Sequence, residues 1–149
     1  MADFSWINEQ IAVSGAISDK DIIRLKDAGI DAIIDVRSEY CDNTELIEKS
    51  GMQFFRIEID DRYSPTFEQL KIIFNFVEPL LDKGKKIFIH CQNGCGRAPL
   101  LAIAILAKRG MKIPDAAALV KDRHPWTGFS QPQEEFIYVE LDKFLKSKY

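Results

Sequence analysis

The sequence predicts an α/β fold, one domain with a mostly parallel central sheet of about four to five strands and helices on both faces. Three observations lead there. Short apolar, β-branched runs alternate with stretches of helical period along the chain. Glycines at 29, 51 and 110 close three of the helical stretches. The 149 residues contain no repeat, low-complexity segment or linker, which suits a single domain over 1–149 with a sizeable core.

The elements follow in order. "FSWINEQIAVSG" holds two β-favouring pieces, around Trp6-Ile7 and Ile11-Val13, that read as an edge hairpin or paired strands. Ser18 can cap a helix through "DKDIIRLKDA" that Gly29 ends. "DAIIDV" (31–36) is short, apolar and β-branched, a buried strand. "NTELIEKSG" gives a short helix stopped by Gly51, and "MQFFRIEI" (52–59) alternates as a strand does. After the polar turn "DDRYSPTF", an amphipathic helix runs from about Thr66 to Leu81, with Leu70, Ile73, Phe74, Val77 and Leu81 at helical spacing. "KKIFIH" is another buried strand. "APLLAIAILAKRG" is an apolar helix ending at Gly110, and "IPDAAALVKDR" a helix with Pro114 in its first turn. The loop "HPWTGFSQP" leads to a terminal helix, "QEEFIYVELDKFL".

Composition narrows the function. At 46% hydrophobic and 29% charged, the chain is that of a globular protein. A net charge of −3 gives no general reason to bind nucleic acid or an anionic membrane, so any anion site must be local. The longest apolar run, "PLLAIAILA", is nine residues, well short of the roughly 20 needed to span a bilayer. "MADFSWINEQ" is too polar for a signal peptide, "KSKY" carries no prenylation motif, and three cysteines is an odd number. A cytoplasmic protein with reduced thiols and no membrane anchor is expected.

The segment "HCQNGCGRAP" (90–99) carries the chemistry. A strand ends at His90 and a helix opens near Arg97, and in such folds ligands bind beyond the carboxyl ends of the strands. Gly94 and Gly96 allow backbone angles that turn successive N–H groups of Gln92, Asn93, Gly94, Cys95 and Gly96 inward as an anion nest. The helix start adds unpaired N–H groups, and Arg97 adds a planar fork for two oxygens. The loop is built for a tetrahedral dianion. A thiol at its floor, Cys91, is favoured as thiolate there and becomes a nucleophile aimed at phosphorus. Cys95 reads as a small packed residue or as a disulfide partner for Cys91. A metal site would need a fourth ligand, and His124 offers no fitting spacing, so neither metal nor cofactor is expected.

"HCQNGCGR" resembles the His-Cys-x5-Arg signature of cysteine-dependent protein tyrosine and dual-specificity phosphatases, and the likeness extends over most of the chain. With Ala98-Pro99 after the arginine and "GMKIPDAA" beyond, the loop looks most like that of the phosphatases of regenerating liver. The resemblance implies a dual-specificity phosphatase-like fold, a phosphorylated protein or peptide as partner, and a two-step mechanism without a metal. It implies a general acid on a loop about 30 residues before the cysteine. Asp61, thirty residues before Cys91 and four before Pro65, is the expected acid, with Asp60 the alternative. His90 is implied to tune the thiol, Gln131 and Gln133 to sit on a water-positioning loop, and Cys41 to be a candidate resolving thiol. Arg37 either lines the pocket or pairs at its strand end. Most relatives carry a hydroxyl where this chain has Ala98, a hydroxyl that eases release of the thiolate. With Gln92, Asn93 and Cys95 there is no lysine in the loop, which favours phosphoprotein over phosphoinositide. Two other readings stay open: a phosphate-binding module with weak catalysis, and a sulfurtransferase of the rhodanese type.

Overall fold

The computed structural model of the chain describes residues 4–147, so the outermost residues of the expected 1–149 domain, including the last two of "KSKY", lie outside it. Side-chain alternation along the central strands divides the core in two. Ala12 of β2 (Ile11–Ser14) and Ile33 of β3 (Ala32–Arg37) both stand opposite Phe88 of β5 (Ile87–His90). These three pack with Ile22 and Leu25 of α1 (Asp19–Asp27) and Ile47 of α2 (Thr44–Lys49) on one face. Their strand neighbours Ile11, Val13, Ile34, Ile87 and Ile89 point the other way, because successive side chains leave a strand on opposite faces. There they meet α3 (Phe67–Asp82), α4 (Arg97–Lys108), α5 (Ile113–Arg123) and the C-terminal helical segment. Both faces of the sheet are covered, which is why the inner strands are mostly apolar, while the edge strand β4 keeps polar residues at Gln53, Arg56 and Glu58.

The sheet order is β1-β2-β5-β3-β4, with β1 (Ser5–Trp6) antiparallel on β2, and β2, β5, β3 and β4 (Gln53–Ile59) parallel. Five strands, mostly parallel, in one α/β domain match the expectation, and so does the N-terminal hairpin. Because four strands run the same way, Ser14, Arg37, Ile59 and His90 all end at one edge. The loops that follow them gather there.

Local caps agree with the sequence. Ser18 and Asp21 form a capping box at α1, and Thr66 and Gln69 form another at α3. The C-terminal segment differs from expectation twice. Its helix, α6 (Gln131–Glu135), starts two residues earlier than "QEEF", because Ser130 caps it and Pro132 is tolerated in the first turn. It then passes through a π-helical turn, Phe136–Glu140, before α7 (Leu141–Lys146). In that wider turn Leu141 N–H bonds to the Phe136 carbonyl, and Phe136 and Leu141 both reach the core.

Candidate active site

The loop from Cys91 to Gly96 is fixed at its start by two backbone contacts, with the end of β2 and the segment after it. Cys91 N–H donates to the Ser14 carbonyl at 3.2 Å, and Ala16 N–H donates to the Gln92 carbonyl at 3.0 Å. Just beyond these bonds Gly94 takes φ +72°, and a Cβ there would lie 2.7 Å from the Gly15 nitrogen. No other residue type fits without displacing backbone. Gly96 needs its missing side chain for a different reason than left-handed angles: its φ is −124°, and a Cβ would meet Gln133 Oε1 at 2.8 Å.

His124 braces the loop from below. Buried after α5, its Nε2 lies 2.6 Å from the Gly94 carbonyl and its Nδ1 2.7 Å from Ser5 Oγ. A nitrogen facing a carbonyl must donate, so the proton is assigned to Nε2, and in the neutral ring Nδ1 accepts from the serine hydroxyl. Gly128 N–H donates to the Cys95 carbonyl at 2.9 Å, tying the loop to the 124–130 segment.

Cys91 is 2% exposed at the floor of a cavity of about 340 Å³. Asn93, Cys95, Gly96, Arg97, Asp61 and Gln133 line it with Cys91, and Arg62, Gly128, Phe129 and Ser130 complete the wall. Seven residues singled out from sequence thus surround one space. Gln133 is there because, as third residue of α6, its Oε1 accepts from Ser130 N–H while its Nε2 donates to the Tyr63 carbonyl. Other candidates are elsewhere. Gln131 lies in a separate depression with Ser64 and Glu140. Gln92 turns its side chain away to accept from Arg37 at 2.9 Å, and Cys41 lies with Gln92, Arg37 and Asp42 in a third depression. Asp60 is exposed and its carbonyl accepts from Tyr63 N–H.

Arg97 is 2% exposed, and its five N–H groups can be accounted for. Nη1 donates to Glu39 Oε1 at 2.7 Å and to the Ile59 carbonyl at 2.8 Å, and Nη2 donates to Glu39 Oε2 at 2.7 Å. Nε–H is buried without a partner. The edge formed by Nε–H and the second Nη2–H is therefore left for two oxygens of an anion, with Asp61 Oδ1 3.6 Å from Nη2. Burial alone would lower the Arg97 pKa; the Glu39 hydrogen bonds, then the charges of Cys91, Glu39 and Asp61, raise it above its ordinary value. In return the Arg97 hydrogen bonds, helped by the charges of Arg97 and Arg37 against a burial penalty, hold Glu39 down to about 2.

Beneath the loop is a buried polar network. His90 contacts Asp42 through Nε2, and its Nδ1 is 3.4 Å from the Cys91 carbonyl. Arg37 pairs with Asp35 at 2.9 Å and with Asp42 at 3.1 Å, which settles its role as strand-end pairing. Ligand atoms of Asp35, Asp42 and His90 come within 4.8 Å of one another, but the Arg37 guanidinium already lies against both carboxylates and offsets part of their charge.

Three residues that build this site, Glu39, Asp42 and His124, carry no motif. Glu39 is 58 residues from Arg97 in sequence. It reaches the guanidinium because β3 lies between β5 and β4, and because Arg56 donates to the carbonyls of Arg37, Ser38 and Tyr40 and so shapes the intervening turn.

A thiol and an open guanidinium edge on one cavity, in a tight loop between the carboxyl end of a parallel strand and the start of a helix, define a cysteine-dependent phosphatase type of site. A model of the dual specificity phosphatase catalytic domain matches residues 15–138, and the chain belongs to that family. It is 33% identical over 124 residues to tyrosine-protein phosphatase vhp-1 of Caenorhabditis elegans, covering 80% of this chain and 18% of the relative. It is 27% identical over 107 residues to PRL-1 phosphatase of Drosophila melanogaster, covering 68% and 58%. The chain thus spans less than two thirds of these relatives' own lengths. Tk-PTP in its active form superposes with a TM-score of 0.82 at 25% identity over 99% of this chain and 98% of that one. PTPMT1, at 19% identity and a TM-score of 0.87, shares the fold. No helix among the described residues is long and apolar enough to cross a membrane.

Proposed function

We propose that this protein hydrolyses phosphate monoesters on proteins, phosphotyrosine first and also phosphoserine or phosphothreonine, through a cysteinyl-phosphate. The observation that carries the reading is the free edge of Arg97 opening, above Cys91, into the same cavity as Asp61. The Cys91 thiolate attacks phosphorus and the P–O bond to the leaving group breaks. Arg97 and the loop N–H groups hold the non-bridging oxygens, the electrostatic term that dominates phosphoryl transfer. Asp61 gives its proton to the leaving oxygen. In the second step the ionised Asp61 takes a proton from water, water oxygen attacks phosphorus, and the S–P bond breaks to return thiolate and inorganic phosphate. Gln133, against Gly96, is positioned to orient that water, and His90 to hold the Cys91 carbonyl. The likeness to the phosphatases of regenerating liver is supported by Ala98-Pro99 and by the fly PRL-1 relative.

The test is a pH–rate profile on an aryl phosphate and on phosphopeptides. The expected profile is a bell, its acid limb set by thiolate formation and its alkaline limb by loss of the acid's proton. Asp61→Asn is expected to lose the alkaline limb and to lower kcat by about 10²–10³-fold. An alkaline limb that survives in Asp61→Asn but vanishes in Asp60→Asn would assign the acid to Asp60.

Ala98 sets a second expectation. It is fully buried in the first turn of α4, next to Arg97, and offers the departing sulfur no hydroxyl. Breakdown of the phosphoenzyme is therefore the slow step. Ala98→Ser is expected to raise steady-state turnover several-fold, on the order of one hydrogen bond, and to shrink the pre-steady-state burst. An unchanged turnover together with an unchanged burst would refute this.

A further inference from the structure

Arg62 follows the expected acid and is not used by the reaction described above. It is the one non-glycine residue among the described residues with a positive φ, at +72°. An arginine pays for that conformation with a Cβ clash that glycine or asparagine would avoid or soften. The surrounding structure nevertheless fixes it there. Ser130 Oγ donates to the Arg62 carbonyl at 2.6 Å, Gln133 Nε2 donates to the Tyr63 carbonyl at 3.2 Å, and Tyr63 N–H closes the turn onto the Asp60 carbonyl at 3.0 Å. Ser130 and Gln133 are themselves locked in the capping box of α6. A strained residue held by several independent contacts beside an active cavity is the usual mark of a functional position.

Arg62 lines the cavity with Cys91 and Arg97 and is exposed, and its side chain makes no hydrogen bond or ion pair among the described residues. The other cation of that wall, Arg97, is committed to Glu39 and to the phosphate. The remaining charged side chain of that wall, Asp61, is an acid, so a flanking acidic group on a substrate would meet no free cation there but Arg62. Phe129 beside it offers apolar surface for a peptide side chain.

We infer that Arg62 is a specificity-determining residue that binds the carboxylate of an acidic side chain adjacent to the phosphorylated residue of a peptide substrate. A single guanidinium suits one carboxylate. A multiply phosphorylated lipid headgroup would call for several cations, and the loop residues Gln92, Asn93 and Cys95 supply none. The assignment rests on the phosphatase reading above.

The test compares phosphotyrosine peptides that differ only in bearing Glu, Gln or Lys at each position flanking the phosphoresidue. The full chain is used as wild type and as Arg62→Gln, Arg62→Lys and Arg62→Glu. The ratio of kcat/KM for the Glu over the Gln peptide, taken within each enzyme, cancels any general change in activity. It is expected to be about fivefold at one flanking position in the wild type, near one in Arg62→Gln and below one in Arg62→Glu. Arg62→Lys keeps part of the preference, and salt reduces it. A wild-type ratio of one, or a ratio that Arg62→Gln and Arg62→Glu leave unchanged, overturns the assignment. So does faster hydrolysis of a phosphatidylinositol phosphate in phosphatidylcholine vesicles than of any peptide, if Arg62→Gln abolishes it. Peptide affinities of Cys91→Ser, with and without Arg62→Gln, read the same subsite without turnover. An acid preference in binding with no wild-type hydrolysis would therefore strike the phosphatase reading and leave the subsite standing.

Discussion

Replacing Cys91 by serine is expected to cut hydrolysis of an aryl phosphate by about 10⁴-fold or more, as loss of a nucleophile does in other hydrolases. The serine hydroxyl is un-ionised near neutral pH, and a neutral hydroxyl is a far poorer nucleophile at phosphorus than a thiolate. The substitution is otherwise small. Serine occupies slightly less volume, and the backbone bond from residue 91 to the Ser14 carbonyl does not involve the side chain. The free edge of Arg97 and the loop N–H groups remain, so the variant should still bind a phosphopeptide and hold it without turning it over. Retained hydrolysis in Cys91→Ser would remove Cys91 from the mechanism. A wild type that binds phosphopeptides but shows no turnover would instead favour the phosphate-binding module.

How far the sequence discloses this protein depends on the range of each interaction. The inner strands are legible because buried parallel strands are apolar on both faces, as "AII" and "IFI" are, with the polar Asp35 and His90 coming only toward the ends that face the site. The order in which they pair is not written locally: that β5 lies between β2 and β3 follows only from the packing of helices over both faces. The start of α6 was misplaced by two residues because Pro132 reads as part of a loop until Ser130 is seen to cap it. The π-helical turn was invisible for a related reason, since it is the core around Phe136 and Leu141 that widens the helix there. In the site, the stretch from Cys91 to Arg97 is contiguous, so its loop geometry could be read from glycine and cysteine positions. Asp61 was reachable only through the family resemblance, being a polar residue in a polar turn. Gln133 is implied only by the resemblance, together with Gln131, and it is the capping box setting the register of α6 that puts Gln133 and not Gln131 on the cavity. Glu39, Asp42 and His124 lay beyond reach because each acts across the sheet or across the fold, on a partner 30 residues or more away.

Glu39→Gln is expected to have the second large effect, on activity and stability together. The carboxylate holds both terminal nitrogens of a guanidinium that is otherwise bonded only to the Ile59 carbonyl. Glutamine can accept from one of those nitrogens, but its own NH₂ then faces the other, and a buried cation loses its countercharge. With the fork no longer fixed, the free edge loses its aim at the phosphate. A fall in kcat/KM of about 10–10²-fold follows, with the larger part in kcat if the arginine acts mainly on the transition state. On stability the sign is set by protonation. Glu39 is held at about 2 in the folded protein, below its ordinary 4.5, so its contribution is fully present above about pH 4.5. It is lost as pH falls toward 2, when the folded form must take up the proton. With a third of the side chain exposed, that contribution is about 2 kcal/mol at most. Denaturant midpoints of wild type and Glu39→Gln should therefore be well apart near neutral pH and converge as the pH is lowered through this range. Parallel curves would mean that the Glu39–Arg97 pair adds no charge-dependent stability. A catalytic loss that persisted under those conditions would then have to come from the geometry of the fork alone.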